Sequence, residues 1–240
     1  MKNLRYLLII LILVIPVING CSKSRQDKAG SNSGNSNSRL NNISIDSKTL
    51  RPSNLKYEID SSIVTHYAIL NTSMGKIKIA LFGEDAPKTV ENFIGLAKNG
   101  TYNGVLFHRV AKKFLIQTGD PGTKSTSKKS EWGRGGKSIW NIEFEDEFNP
   151  RAPSYKSGYQ KGVVAMANRG PNTNTSQFFI CLEEAKYLEP KWTIFGKVAE
   201  GIDVVEKISQ VEIEPGPFEP NDGIPVKPVK LYSVSIVKKN

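Results

Sequence analysis

Phe114-Leu115-Ile116-Gln117-Thr118-Gly119-Asp120 opens with an apolar run, carries one amide inside it and stops at a glycine. A short apolar or β-branched run closed by Gly or Asp reads as a strand. Seven more such runs flank it, at residues 67–71, 76–82, 105–110, 162–168, 177–182, 193–198 and 229–237, and Ser73-Met74-Gly75 supplies a hairpin turn between the first two. Two stretches instead show helical spacing. In one, Asp85 is placed to cap, Pro87 suits the first turn, Val90, Phe93, Ile94 and Ala97 share a face, and Asn99-Gly100 ends the helix. In the other, residues 200–211, the face is Ile202, Val205 and Ile208. Eight strands with two helices exclude a doubly wound α/β fold, which needs a helix between most strands. The expected fold is mainly β: a closed eight-stranded antiparallel β-barrel capped by two α-helices. Residues 119–137 and 148–161, rich in Gly, Pro, Lys and Ser, read as long loops.

The whole chain has 240 residues, 38% of them hydrophobic, and 33 basic against 23 acidic side chains, a net +10. That content excludes wholesale disorder, and two cysteines, Cys21 and Cys181, are too few for a disulfide scaffold or a Cys-rich zinc site. Residues 1–20 read as a secretory signal: Lys2 and Arg5 precede a 13-residue apolar run, shorter than the roughly 20 residues that span a bilayer. Val17-Ile18-Asn19-Gly20-Cys21 resembles a bacterial lipobox, which implies a lipid on Cys21, although an ordinary signal cleaved beside an incidental cysteine is the alternative. Residues 22–55 hold nine Ser, six Asn and no aromatic residue, so 21–55 read as the lipidated cysteine and a disordered tether. Residues 56–240 are long enough for one core. The charge divides as +2 in the signal, +4 in the tether and +4 over the 185 residues that follow, which is poor grounds for a nucleic-acid partner. The expected place is a bacterial cell envelope, with the chain lipid-anchored to a membrane and its domain outside the cytoplasm, periplasmic or cell-surface.

Several chemical motifs are excluded. Gly133-Arg134-Gly135-Gly136-Lys137-Ser138 ends like a phosphate-binding loop, but the pattern requires glycine where Glu131 stands. His66 and His108 are the only histidines, and Glu143, Glu145, Asp146 and Glu147 lack a histidine at metal-ligand spacing, so no metal or cofactor is expected and the carboxylates read as a solvated run. Cys181 sits in an apolar strand and reads as an inert buried thiol.

What remains is a set of strands that each carry polar groups among Phe and Ile: Phe107-His108-Arg109-Val110, Phe114 to Asp120, Met166-Ala167-Asn168 and Ser176-Gln177-Phe178-Phe179-Ile180. A cationic fork, amides and an apolar wall suit a neutral, peptide-like ligand. Together with Ala86-Pro87-Lys88-Thr89-Val90-Glu91-Asn92-Phe93, Gly135-Gly136-Lys137-Ser138-Ile139, Phe144-Glu145-Asp146-Glu147-Phe148 and Phe195-Gly196-Lys197-Val198, in this order from about Val64 onward, these strings resemble the cyclophilin family of peptidyl-prolyl isomerases.

The resemblance implies roles for named residues. Arg109 would donate to the prolyl nitrogen, with Gln117 contacting the substrate carbonyl or fixing Arg109. Phe114, Leu115, Phe179 and Leu188 would form the socket for the proline ring, Met166 and Ala167 would line its neighbour, and the Asn168 backbone would hold the residue before proline. His108 and Gln177 would border the substrate, His108 as a structural histidine rather than an acid or base. The sequence departs from the family pattern where Tyr187 replaces a common Trp, Trp192 a common His and Leu115 a common Met. Trp192 would narrow the pocket. The expected partners are proline-containing segments of exported proteins and a membrane reached through the lipid, with the chain a monomer. A non-catalytic proline-binding module and a nucleic-acid binder are the competing readings; the first predicts no isomerase activity, the second a steep salt dependence of DNA affinity.

Overall fold

The computed structural model describes residues 59–216 and 219–240. The expected signal, Cys21 with its expected lipid and the expected tether lie outside the described residues.

Along β1 (His66–Thr72) every second residue, Ala68, Leu70 and Thr72, turns inward, the period of a strand with one buried face. Thr72 Oγ1 donates to the Gly75 carbonyl at 2.6 Å and accepts the Met74 N–H at 3.1 Å, closing the turn into β2 (Gly75–Leu81). The remaining strands are β3 (Val105–Leu106), β4 (Arg109–Ala111), β5 (Leu115–Thr118), β6 (Val163–Met166), β7 (Phe178–Cys181), β8 (Ile194–Glu200), β9 (Ile213–Pro215), β10 (Asp222–Pro225) and β11 (Lys230–Lys238). They form one antiparallel sheet in the order β3-β11-β1-β2-β8-β6-β7-β5-β4-β10-β9.

The mainly β class holds, but the sheet is an eleven-stranded curled half-barrel and not the expected closed eight-stranded barrel. Two physical causes account for the difference. The run at 105–110 breaks because its hydrogen-bond partner changes: Phe107 N–H donates to the Val229 carbonyl at 2.9 Å, whereas His108 N–H donates to that of Gln117 at 3.1 Å. β3 and β4 thus stand near opposite ends of the sheet order although they are consecutive in the chain. In addition, β9 and β10 form a short hairpin in a Pro- and Gly-rich stretch without alternation.

Helix α1 (Pro87–Lys98) buries Val90, Phe93, Leu96 and Ala97. Asp85 does not cap it. The N-cap is Ala86, and the first free amides are taken by a carboxylate far along the chain: Glu147 Oε1 accepts Lys88 N–H at 3.1 Å, and Oε2 accepts Thr89 N–H at 2.8 Å. Asp85 instead accepts Ser154 N–H at 2.9 Å, serving the one-turn helix α2 (Pro153–Ser157), which lies inside the expected loop 148–161. In α3 (Ile202–Ser209) the buried face is Val204, Val205 and Ile208, while Ile202 is 37% exposed. The left-handed Gly201 (φ +84°) turns the chain just before Ile202, leaving that residue at the first helical position. The other expected loop, 119–137, contains two 3-10 turns, Pro121–Lys124 and Thr126–Glu131.

The central strands are buried on both faces. Ile116, Val164, Met166, Phe178 and Ile180 join the inner cluster under α1 and α3, where Phe93 meets Tyr102, Phe178 and Phe195 with ring centroids 5.1 to 5.4 Å apart. Leu115, Val163, Ala165, Phe179 and Cys181 join a second cluster on the other face. That face carries the site.

Candidate functional site

Four neighbouring strands, β4, β5, β7 and β6, align Arg109 with Gln117, Gln117 with Phe179 and Phe179 with Ala165. Residues paired directly across antiparallel strands point to one face, so cation, amide and aromatic ring stand in a row. Each polar member is held. Arg109 Nη1 donates to Gln117 Oε1 at 3.3 Å, Gln117 Nε2 donates to Gln177 Oε1 at 2.8 Å, and Gln177 Nε2 donates to the carbonyls of Gly133 and Gly135 at 2.9 and 2.6 Å. A chain of hydrogen bonds thus fixes both amide orientations and joins Arg109 to the loop at 133–135.

That loop is anchored by Asp120. Its fully buried carboxylate accepts the amides of Gly122 at 2.8 Å, Gly133 at 2.7 Å and Gly135 at 3.3 Å. A Cβ at position 135 would lie 2.4 Å from Asp120 Oδ1, so only glycine permits this approach. His108 is buried behind the loop. Burial holds its imidazole below the usual pKa, against the raising influences of Asp120, the Leu106 backbone and the Gln177 side chain. The ring lies against Gly133 of that loop.

The apolar part lies beyond Phe179. Phe114, Ala167, Leu188 and Trp192 pack, half-buried, on the cluster that contains Leu115 and Phe179. Trp192 meets the Phe179 ring edge-on at 6.3 Å and the Tyr159 ring at 6.1 Å, and the Tyr159 hydroxyl accepts the Trp192 N–H at 3.0 Å and donates to its carbonyl at 2.8 Å. A neighbouring cavity of about 180 Å³ shares Leu188 and Trp192 with this socket and reaches Tyr155 and Phe148. The Asn168 side chain donates to the Lys191 carbonyl at 2.8 Å and to Asp146 at 3.3 Å, pinning the end of β6 to the loop that bears Trp192.

One expected site residue stands elsewhere. Met166 faces the inner cluster and is 1% exposed, because alternation along β6 puts it opposite Ala165 and Ala167. Tyr187, the chain neighbour of the socket residue Leu188, is 76% exposed. The carboxylates read as a solvated run are engaged: Glu143 pairs with Arg169, Glu145 with Lys88, Asp146 accepts Asn168 and Asn174, and Glu147 caps α1. One residue of the site escaped the sequence reading: Asp222 on β10, whose carboxylate accepts Arg109 Nε at 2.9 and 3.0 Å and Nη2 at 2.6 Å. Nothing in the aperiodic segment around it signals a strand.

Residues 67–236 match the family described as cyclophilin type peptidyl-prolyl cis-trans isomerase/CLD. The chain belongs to the cyclophilin family. Peptidyl-prolyl cis-trans isomerase-like 3 of Gallus gallus is 42% identical over 165 residues, which cover 68% of this chain and 94% of that protein. The peptidylprolyl isomerase domain and WD repeat-containing protein 1 of Mus musculus is 46% identical over 164 residues, 68% of this chain but 23% of that longer protein. A Cryptosporidium parvum cyclophilin type peptidyl-prolyl cis-trans isomerase, crystallised in the presence of the dipeptide Ala-Pro, superimposes with a TM-score of 0.60 at 29% identity, covering 72% of this chain and 99% of that one. This cyclophilin is thus a peptidyl-prolyl cis-trans isomerase, and the module without activity gives way to an enzyme.

Proposed function

We propose that this isomerase acts on X-Pro bonds of exported proteins from a lipid tether at Cys21, and that it stabilises the twisted amide without forming a covalent bond. The observation that carries the mechanism is the row Arg109, Gln117 and Phe179, a held cation beside an apolar socket. Rotation about the prolyl bond crosses a barrier of about 20 kcal/mol because amide resonance is lost, which sets a rate of about 0.01 per second. Reaching about 1000 per second takes a factor of about 100,000, or roughly 7 kcal/mol, within the range of orientation and preorganised charge.

As the amide twists, the lone pair localises on the prolyl nitrogen and becomes an acceptor. An N–H of Arg109 aimed at that position gains strength only in the transition state, so it raises kcat rather than ground-state affinity. Phe114, Leu115, Phe179 and Leu188 hold the ring still while the preceding carbonyl swings. Gln117 keeps the guanidinium in place.

The tether reading rests on the sequence of residues 1–55: a short apolar run, a lipobox-like Cys21 and a Ser- and Asn-rich stretch. A diacylated cysteine would anchor the domain stably where one acyl chain is marginal. The full chain should accelerate isomerisation in a proline-peptide assay, and Arg109→Ala should cut kcat/KM by about 100-fold or more, the loss typical of one transition-state donor. Equal rates for the two proteins would reject the mechanism. Cys21→Ala should leave the membrane fraction, and unchanged fractionation would reject the anchor.

A further inference from the structure

We infer that Asp222 is a positioning residue for catalysis: the β9–β10 hairpin supplies an anion that locks the Arg109 guanidinium with its tip toward the substrate. The inference rests on the proposed role of Arg109 at the prolyl nitrogen.

A guanidinium has five N–H donors in a fixed plane. Here Nε and one hydrogen of Nη2 engage the two oxygens of Asp222, and one hydrogen of Nη1 engages Gln117. That leaves one N–H on each terminal nitrogen for a ligand. The side-on, two-point grip fixes the plane as well as the position of the fork, which a single contact to Gln117 does not. Rotamer freedom that an arginine otherwise loses on meeting its substrate is lost beforehand, so the donor is in place when the lone pair appears. The Arg109 and Asp222 side chains are 36% and 26% exposed, so solvent screens the pair, and its main effect is on geometry rather than stability.

The hairpin is built to hold this carboxylate. The Asp222 N–H donates to the Glu219 carbonyl at 3.2 Å and its carbonyl accepts Gly216 N–H at 2.7 Å, so the backbone on either side of the side chain is committed. At the next residue, a Cβ on Gly223 would lie 2.0 Å from the Glu214 carbonyl oxygen, so the two strands approach as only glycine allows. The hairpin meets the catalytic sheet where Asp222 and Gly223 pair with Ala111 and Val110 on β4, the strand that carries Arg109. Lys112 N–H donates to the Asn221 carbonyl at 2.8 Å, and Lys129 pairs with Glu214 across to the loop at 119–137.

The test compares the full chain with Asp222→Asn, Asp222→Ala and Asp222→Glu in a proline-peptide isomerisation assay, with thermal unfolding measured on the same samples. Asp222→Asn should lower kcat about tenfold and leave KM within about twofold, as expected for coupled neighbours. Asp222→Glu, which keeps the charge, should retain more of kcat than Asp222→Asn. In an Arg109→Ala background the Asn substitution should cause no further loss. By nitrogen-15 NMR, the Arg109 Nε–H should exchange slowly with solvent in the parent chain and rapidly in both Asp222→Asn and Asp222→Ala. An unchanged or raised kcat in a folded variant overturns the inference. So does an additive loss in the Arg109→Ala background, or an Nε–H that exchanges no slower in the parent chain than in the variants. A parent chain without isomerase activity rejects the reading beneath it instead.

Discussion

Replacing Glu147 by alanine removes the acceptor for the first amides of α1 from a position 58 residues away from Thr89 in the chain. Every early amide of that helix is otherwise accounted for. Ala86 N–H reaches the Phe82 carbonyl at 2.9 Å, Pro87 has no N–H, and Val90 N–H begins the intrahelical series on Ala86 at 2.9 Å. Lys88 and Thr89 alone depend on Glu147, which also accepts the Thr89 hydroxyl at 2.7 Å. Hydrogen bonds to a charged group contribute about 1.5 to 3 kcal/mol each. With Glu147 only half-buried the lower figure applies, and two backbone bonds give about 3 kcal/mol. In a domain of this size that lowers Tm by about 6 to 12 °C. Glu147→Gln keeps an oxygen but loses the charge facing the helix dipole, about 1 kcal/mol and about 2 to 4 °C. Calorimetry measures the first effect, and amide exchange at Lys88 and Thr89 localises it. An alanine variant melting within about 2 °C of the parent, or unaltered exchange at those two amides, would refute the reasoning.

Three further outcomes are expected. Burial keeps the folded pKa of His108 below its ordinary 6.5, so the unfolded chain binds the proton more tightly; its contribution to stability is complete above about pH 6.5 and is lost as pH falls from there toward the folded value. Denaturation between about pH 8 and 5 should therefore show a smaller acid loss for His108→Gln than for the parent, and equal slopes would contradict this. Burial pushes the Cys181 thiol up to about 12, so in a Cys21→Ala chain maleimide should label it only after denaturant is added; rapid labelling of the native protein would show the thiol to be accessible. Tyr159→Phe leaves the Trp192 N–H without its acceptor and should cost about 1 kcal/mol with a change in tryptophan emission, whereas an unchanged melt would show the hydroxyl to be dispensable.

Strands with plain alternation, such as β1 and β2, and strands buried on both faces, such as β6 and β7, were legible because apolar runs bounded by turn residues have few other readings. Arg109 and Gln117 were legible for the opposite reason, since polar groups inside such runs stand out, whereas Phe179 was placed in the socket only by the family resemblance. Asp222 was not, since β10 is four residues long, ends in proline and derives its strand character from pairing with β4 and β9 rather than from its own pattern. The placement of Met166 was lost to one step of alternation, which a residue list does not show and a register does. Glu147 illustrates a further limit. A cap supplied from across the fold leaves no local motif, while Asp85, which looked like the cap, serves the next helix.

The pairing of β1 with β11 sets His66 opposite Lys238, and Lys239 N–H donates to the Thr65 carbonyl at 2.9 Å. The first and last strands of the domain therefore begin and finish side by side at one end of the same ladder. A short peptide joining residue 240 to residue 59, with a new break at the Ser73-Met74 turn, would preserve every strand neighbour, so the enzyme should tolerate circular permutation there. A tag joined at residue 59 or at residue 240 would leave the domain from the same end. In either arrangement a load on the attachment is borne first by the β1–β11 ladder, and the row of Arg109, Gln117 and Phe179 lies on strands that no terminus pulls directly.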